Sequence, residues 1–302
     1  MNNMLWLYFT IASYFLFALA SISDRYLLAG PLQHRRTAAF YGGITGVWAV
    51  VLVPFGFEIP SIGIIFIALL TGFLGVAWLW ALYNALKFGH ATTTLPMIGS
   101  LAAIFTLLFA FVFFREGIML SPQIIFAFVL MLTGSMFFYF DKNRTTGHEF
   151  FRVLPASVIL GAAFVGTKLV FEDQGLINGL IWIQAGSVLF SLLLLFSRHT
   201  REVVFKENPI KQKKVWGAIL LQKSAGGGGS IMQKLAIWQV ASGQLAFINA
   251  LAGVQYFFVL LFVGILAIRR PSILKEELTK KALVIRILGI AGIAVGFWLL
   301  LT

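Results

Sequence analysis

The chain has 302 residues, is 60% hydrophobic and only 11% charged, and has a mean hydropathy of +0.92 with a formal net charge of +12. Soluble domains run at about 45–50% apolar and about 25% charged, and a water-soluble fold of this length cannot hide so much apolar surface. An ordinary soluble enzyme is excluded and lipid is the expected solvent, while the absence of cysteine removes disulfides, thiolate metal sites and thiol nucleophiles.

A helix needs about 20 apolar residues to cross about 30 Å of hydrocarbon. Ten runs approach that length: Met4–Tyr26, Thr37–Phe55, Ile62–Leu86, Thr92–Phe114, Ile124–Tyr139, Val153–Val170, Leu180–Phe196, Val215–Trp238, Leu245–Ile268 and Leu283–Leu301. The runs are continuous rather than alternating, which predicts helices and not a barrel. The first run ends in "ALA" at Ala18–Ala20, as a signal peptide does. It lacks a positive n-region and is too long for an h-region, so retention as a helix is expected. All four histidines, His34, His90, His148 and His199, fall in or beside predicted loops, where none can relay protons through a membrane.

Charge is one-sided along this chain. Alternate loops carry Arg25, Arg35 and Arg36; Lys87; Lys142, Arg144 and Arg152; Arg198, Arg201, Lys206, Lys211, Lys213 and Lys214; and Arg269, Arg270, Lys275, Lys280 and Lys281. The opposite loops carry Arg115 with Glu58, Glu116, Glu172 and Asp173. The positive-inside rule puts the basic loops in the cytoplasm and both termini outside. Those cations therefore serve orientation and not nucleic acid, and "RHTREVVFKENPIKQKK" is either a solvated loop or a contact to anionic headgroups.

At an offset of 153, "LPMIGSLAAIFTLLFAFVFF" from Leu95 lies over "INALAGVQYFFVLLFVGILA" from Ile248, and "ISDRYLLAG" lies over "VGTKLVFED", setting Arg25 against Lys168. With ten runs, this predicts five helices repeated, residues 1–145 and 146–302. Five is odd, so the second copy enters from the other side. Such an inverted repeat is a device of secondary transporters, in which two half-structures alternate access to a midplane site.

"FFREGIMLSPQIIFAFVLMLTG", Phe113 to Gly134, resembles the EamA-like members of the drug/metabolite transporter superfamily, with Glu116, Ser121, Gln123 and Gly134 at the matching positions. "ALKFGHATTTLP", Ala85 to Pro96, resembles the turn that precedes helix four of that family. The resemblance covers essentially the whole chain and implies ten helices around a central cavity lined by helices three, four, eight and nine. Arg115 replaces the usual glycine, and the second half has no equivalent of Glu116. The family is described with cytoplasmic termini, opposite to the lysine and arginine count.

"QKSAGGGGSIMQK", Gln222 to Lys234, reads as an inserted linker or as part of a helix. A linker would leave two pieces too short to span. One segment, Val215–Trp238, reaches about 36 Å at 1.5 Å per residue and is the expected form. Its glycines either admit a close neighbour or unwind the helix beside a cavity. Gly42, Gly46, Gly292 and Gly296 show small-residue packing spacing.

Lys223 sits about 12 Å inside this segment, too deep to reach back to water, so it faces either a solute with an anionic or carbonyl group or a buried acceptor such as Asn249 or Gln255. On the helices that line the cavity in the resembling family, Trp80, Tyr83, Asn84, Ser100, Gln222, Asn249, Gln255 and Tyr256 complete the candidate substrate-binding set. Lys168, Glu172 and Glu116 are candidates for a gate or ion coupling; Lys168 and Glu172 are one turn apart and also suit a helix-end anchor. Trp78, Trp182 and Trp238 fit interfacial belts.

No metal-binding His-Glu-x-x-His, Walker loop or dinucleotide fingerprint occurs, so no cofactor is expected and no enzymatic activity is indicated. The reading is an all-α integral membrane protein, a multi-pass transporter of the plasma or inner membrane moving a small polar metabolite through the lipid bilayer. A lipid-linked sugar translocator, an intramembrane enzyme and a non-transporting scaffold are the alternatives, and a homodimer is left open.

Overall fold

A computed structural model describes residues 4–29, 35–88, 91–114, 121–137, 147–207, 216–269 and 280–301. Among them the chain is helical, with no strand. The order is α1 (Leu5–Ala29), α2 (Arg35–Ile44), α3 (Ile62–Phe88), α4 (Ala91–Phe113), α5 (Pro122–Phe137), α6 (Gly147–Leu194), α7 (Arg198–Glu202), α8 (Trp216–Gln239), α9 (Leu245–Ala250), α10 (Gly253–Arg269) and α11 (Lys280–Leu301). Two of these helices are long and apolar enough to cross a membrane by length and composition, at Ile62–Leu86 and Phe150–Leu194.

Four expected runs differ in form. The second begins as α2 and tightens into a 3₁₀ helix at Thr45–Phe55, ending beside Pro54. The sixth and seventh are one long element, α6, bent at Gly175, whose φ of 67° and ψ of −175° suit a residue without Cβ. Its limbs are residues 147–174 and 176–194, and polar side chains near the bend bond to one another and to the backbone of Glu58. Asn178 Nδ2 donates to Gln174 Oε1 at 2.5 Å, Asn178 Oδ1 accepts from Glu58 N at 3.1 Å, and Trp182 Nε1 donates to Glu58 O at 3.0 Å. The ninth run breaks at Leu251 and Ala252 between α9 and α10. There Ala252 N turns to Asn249 O at 3.0 Å, and Tyr14 Oη reaches from α1 to take the carbonyl of Ile248 at 2.6 Å.

Helices meet where small residues let backbones touch. A Cβ on Gly186 would strike the Leu69 carbonyl, and one on Gly72 would strike the Ile183 carbonyl, so α3 and the second limb of α6 lie in direct backbone contact. Ser187 Oγ adds a bond to Gly72 O at 3.2 Å. The same device joins α5 to α11, where a Cβ on Gly134 would lie 2.7 Å from Gly289 O and one on Gly296 would lie 2.7 Å from Ala127 O. Gly42 and Gly46, also expected at contacts, would meet Leu79 at 2.6 Å and Gln184 O at 3.2 Å.

The residues that carry the family resemblance have structural uses here. Ser121 Oγ accepts from Ile124 N at 3.3 Å at the start of α5, Gln123 Nε2 donates to Leu299 O at 3.0 Å, and Gly134 is the α5 contact to α11. Arg115 and Glu116 lie outside the described residues.

Gly186→Ala forces backbone apart and is expected to destabilise the protein by about 1–3 kcal/mol. Gly227→Ala, where an added Cβ meets nothing within 4 Å, is expected to be neutral or stabilising by up to about 1 kcal/mol through helix propensity. Thermal unfolding of the detergent-solubilised protein, followed by circular dichroism, checks the pair.

Candidate functional site

The oligoglycine stretch is part of one uninterrupted helix, α8, and is not unwound. It runs antiparallel to α1: an added Cβ on Gly226 would lie 3.8 Å from Ala20, one on Gly228 3.4 Å from Leu16, and one on Gly229 2.8 Å from the Phe17 ring and 3.2 Å from Ser13 O. Gly229 is buried against that neighbour, and Ala225 and Ala236, on the same side of α8, are buried too. Of the two expected uses for the glycines, close approach of a neighbouring helix is the one found.

At 3.6 residues per turn, the opposite face of α8 carries Lys223, Gly227 and Lys234, since positions 0, 4 and 11 return to nearly the same angle. Gly227 faces open space on this side. Lys223 Nζ donates to the carbonyl of Tyr41, on α2, at 3.3 Å. Lys234 Nζ donates to Gln184 Oε1, on the second limb of α6, at 3.2 Å. Both lysines are half-buried, and Lys234 lies deep in the bundle.

Lys223 does not take the acceptors expected for it. Asn249 is buried and donates to Thr106 Oγ1 at 2.9 Å, tying α9 to α4. Gln255 Nε2 donates to Ser21 Oγ at 3.2 Å, tying α10 to α1. Both amides are thus committed to helix packing. Tyr256 and Ser100 are buried at the contact of α10 with α4, where a Cβ on Gly99 would sit 3.6 Å from Tyr256 Oη. On α3, Trp80 and Asn84 have exposed side chains and Tyr83 a half-buried one. Gln222 folds its amide along α8, 3.8 Å from the Cβ position of Gly226. Lys223 and Gln222 share a level of α8, whereas Asn249, Gln255, Tyr256 and Ser100 belong to the junction of α1, α4, α9 and α10.

Lys168 occupies a helix end. Its Nζ donates to Val240 O at 2.6 Å and Trp238 O at 3.3 Å, the carbonyls that α8 leaves open at its C-terminus, and it lies 3.6 Å from Glu172 Oε1. Glu172 in turn accepts from Ser242 Oγ. A cation at a helix C-terminus also meets the negative end of the helix dipole. The geometry is that of an anchor pinning the end of α8 to the first limb of α6.

Sequence reasoning overlooked Lys234, grouping it with the linker-like stretch. The signal was available: Lys234 follows Lys223 at a spacing of three helical turns, so a helix through the glycines puts both on one face. Trp78, expected in an interfacial belt, instead packs beside the cluster of Leu82, Met97 and Ile98, and its buried indole N–H has no hydrogen-bond partner among the described residues. Trp182 lies at the Gly175 bend, stacked on Phe57. A separate apolar cavity of about 210 Å³ opens between α1, α10 and α11, lined by Ile11, Val254, Phe257 and Ile293. Among the described residues no cluster of three histidine or acidic side chains is placed to hold a metal ion.

No protein-family model matches the chain, and no curated protein does. A crystal structure of another protein matches 99% of this chain and 96% of its own at a TM-score of 0.64 and 15% identity, a likeness that shows a shared fold.

Lys168→Met removes the donor that holds two carbonyls and leaves Glu172 without its cation. We expect the protein to lose about 1–3 kcal/mol, and amide exchange to quicken by at least ten-fold in residues 238–244 while the α3–α6 contact stays protected. Hydrogen exchange read by mass spectrometry checks both.

Proposed function

We propose that the protein is a ten-helix membrane transporter of the drug/metabolite transporter kind, moving a small polar metabolite across the cytoplasmic membrane by alternating access. The ten spans are the ten apolar runs, with the two limbs of α6 as spans six and seven and the broken α9 and α10 as span nine. Residues 1–145 and 146–302 form two inverted repeats.

Lipid as solvent is supported by what the bundle leaves outside. Ile62 is 87% exposed, Val51 68%, Phe66 66% and Phe111 65%, and a band of large apolar side chains this extensive is not stable against water. The duplication is supported by the packing. Span one lies along span eight, span three touches span six where a Cβ on Gly166 would meet Thr71, and spans four and nine pack together, as do five and ten and two and seven, while the Gly72–Gly186 contact of spans three and seven stands outside this set. Each of these pairings maps onto itself or onto another when five is added to the span number. A pairwise pattern of that kind is what two copies of one unit, interlocked head to tail, would make.

The observation that carries the transport reading is the polar face of α8. Lysines inside a membrane are costly and ordinarily face a cavity or a partner. Lys223 and Lys234 lie on one face with open space at Gly227 between them. A solute entering there meets ammonium groups at two depths, with α2 and the second limb of α6 as the opposite wall. The tight pairs of α1 with α8 and α3 with α6 are the rigid parts that would rock about it. The break between α9 and α10 is the sort of discontinuous helix that borders such sites.

A thermal-shift screen of the purified protein against metabolites, followed by counterflow in liposomes with the solute that stabilises it, tests this reading. Lys223→Ala is expected to lower counterflow at least ten-fold. Counterflow no greater than in protein-free liposomes for every stabilising solute would overturn the transporter reading, and unchanged counterflow in the variant would remove Lys223 from the site. For orientation, a phosphatase fused behind Thr302 is expected to be active, because the basic loops place the C-terminus outside.

A further inference from the structure

Among the described residues Lys234 is a cation without a counter-ion. Among the described residues no carboxylate lies within ion-pair distance of it, and its hydrogen-bond partner is the neutral amide oxygen of Gln184. The contrast with Lys168 is direct, since Lys168 has both Glu172 and two helix-end carbonyls. The charge of Lys168 is spent on structure. That of Lys234 is not.

The position of this charge along the membrane follows from its partner. Gln184 is nine residues beyond the Gly175 bend, about 13 Å along the helix, and stands at the middle of the limb 176–194. Half of a hydrocarbon core of about 30 Å is about 15 Å. Lys234 is only five residues from the end of α8 at Gln239, yet its side chain leans toward the helix N-terminus, as Cβ geometry directs, and reaches inward to Gln184 instead of outward to water. The ammonium is thereby parked near the midplane. It keeps part of its surface accessible although it lies deep in the bundle, as a group bordering a crevice does. One neutral acceptor satisfies one of its three N–H groups and leaves the charge itself uncompensated. A monovalent anionic group, accepting the remaining N–H bonds in charge-assisted form, would complete the site.

We infer that Lys234 and Gln184 form the anion-recognising end of the translocation crevice, and that the transported solute carries a carboxylate or phosphate group which docks there. This rests on the transporter reading above and adds the charge of the substrate to it. Gln184 holds the ammonium in place when the site is empty; its own amide N–H₂ is a second donor for the bound anion.

The chain has no cysteine, so a single introduced thiol reports on its own surroundings. Gly227→Cys is the chosen reporter, because an added Cβ there meets nothing within 4 Å and it shares the α8 face with Lys234; Gln184→Cys is the second. In the full-length protein reconstituted in phosphatidylcholine liposomes, the rates of modification by an anionic sulfonatoethyl and a cationic trimethylammonioethyl methanethiosulfonate are compared. The expected result is at least ten-fold faster modification by the anionic reagent, falling to parity when Lys234→Gln is added. Equal rates before that change would overturn the anion site while leaving a wet crevice and the transporter reading intact. No modification by either reagent at either position would overturn both. Inorganic phosphate slowing the anionic reagent would assign the site to a soluble anion; slowing only on adding phosphatidylglycerol to the bilayer would assign it to a lipid headgroup.

Discussion

Backbone contact between α3 and the second limb of α6, at Gly72 and Gly186, positions more of the molecule than any single side-chain interaction described. A side chain at either place would hold the helices apart. With the glycines present, Ser187 can bond to the Gly72 carbonyl, and the Gly175 bend brings the first limb of α6 back toward the end of α8. Lys168 then finds the open carbonyls of Trp238 and Val240. The close contact, the bend and the anchor thus act together on α8, which carries the lysine face.

The two sides of α8 do different things because their residues differ in size. Toward α1 it presents Ala225, Gly229 and Ala236, and the pair is tightly apposed. Toward α2 and α6 it presents long basic side chains whose tips hydrogen-bond to Tyr41 O and Gln184 Oε1. The two lysines and the open space at Gly227 are what make α8 the element to examine for solute recognition in the proposed transporter. Glycine is costly within a helix, and this helix is continuous because tertiary packing on α1 outweighs propensity.

Much of the fold was legible in the sequence, as was the pairing of Lys168 with Glu172. Apolar run length anticipated most of the helices, including α8 across its four glycines. Glycine spacing correctly marked Gly42, Gly46, Gly292 and Gly296 as contacts. The Lys168 and Glu172 pair was readable from its one-turn spacing. The acceptors of Lys223 were not, because Asn249 and Gln255 are polar residues in apolar runs whose partners, Thr106 and Ser21, lie on remote helices.

What the sequence determined by itself is the helical class and the rough extent of most helices, since composition acts within one segment. The tertiary structure decided which polar groups answer one another. Lys234 against Gln184, Tyr14 against the freed Ile248 carbonyl and Lys168 against the end of α8 are all contacts between residues at least 50 apart in the chain. Hydrogen bonds of that kind depend on the rotation and depth of two helices at once, and no single segment encodes either.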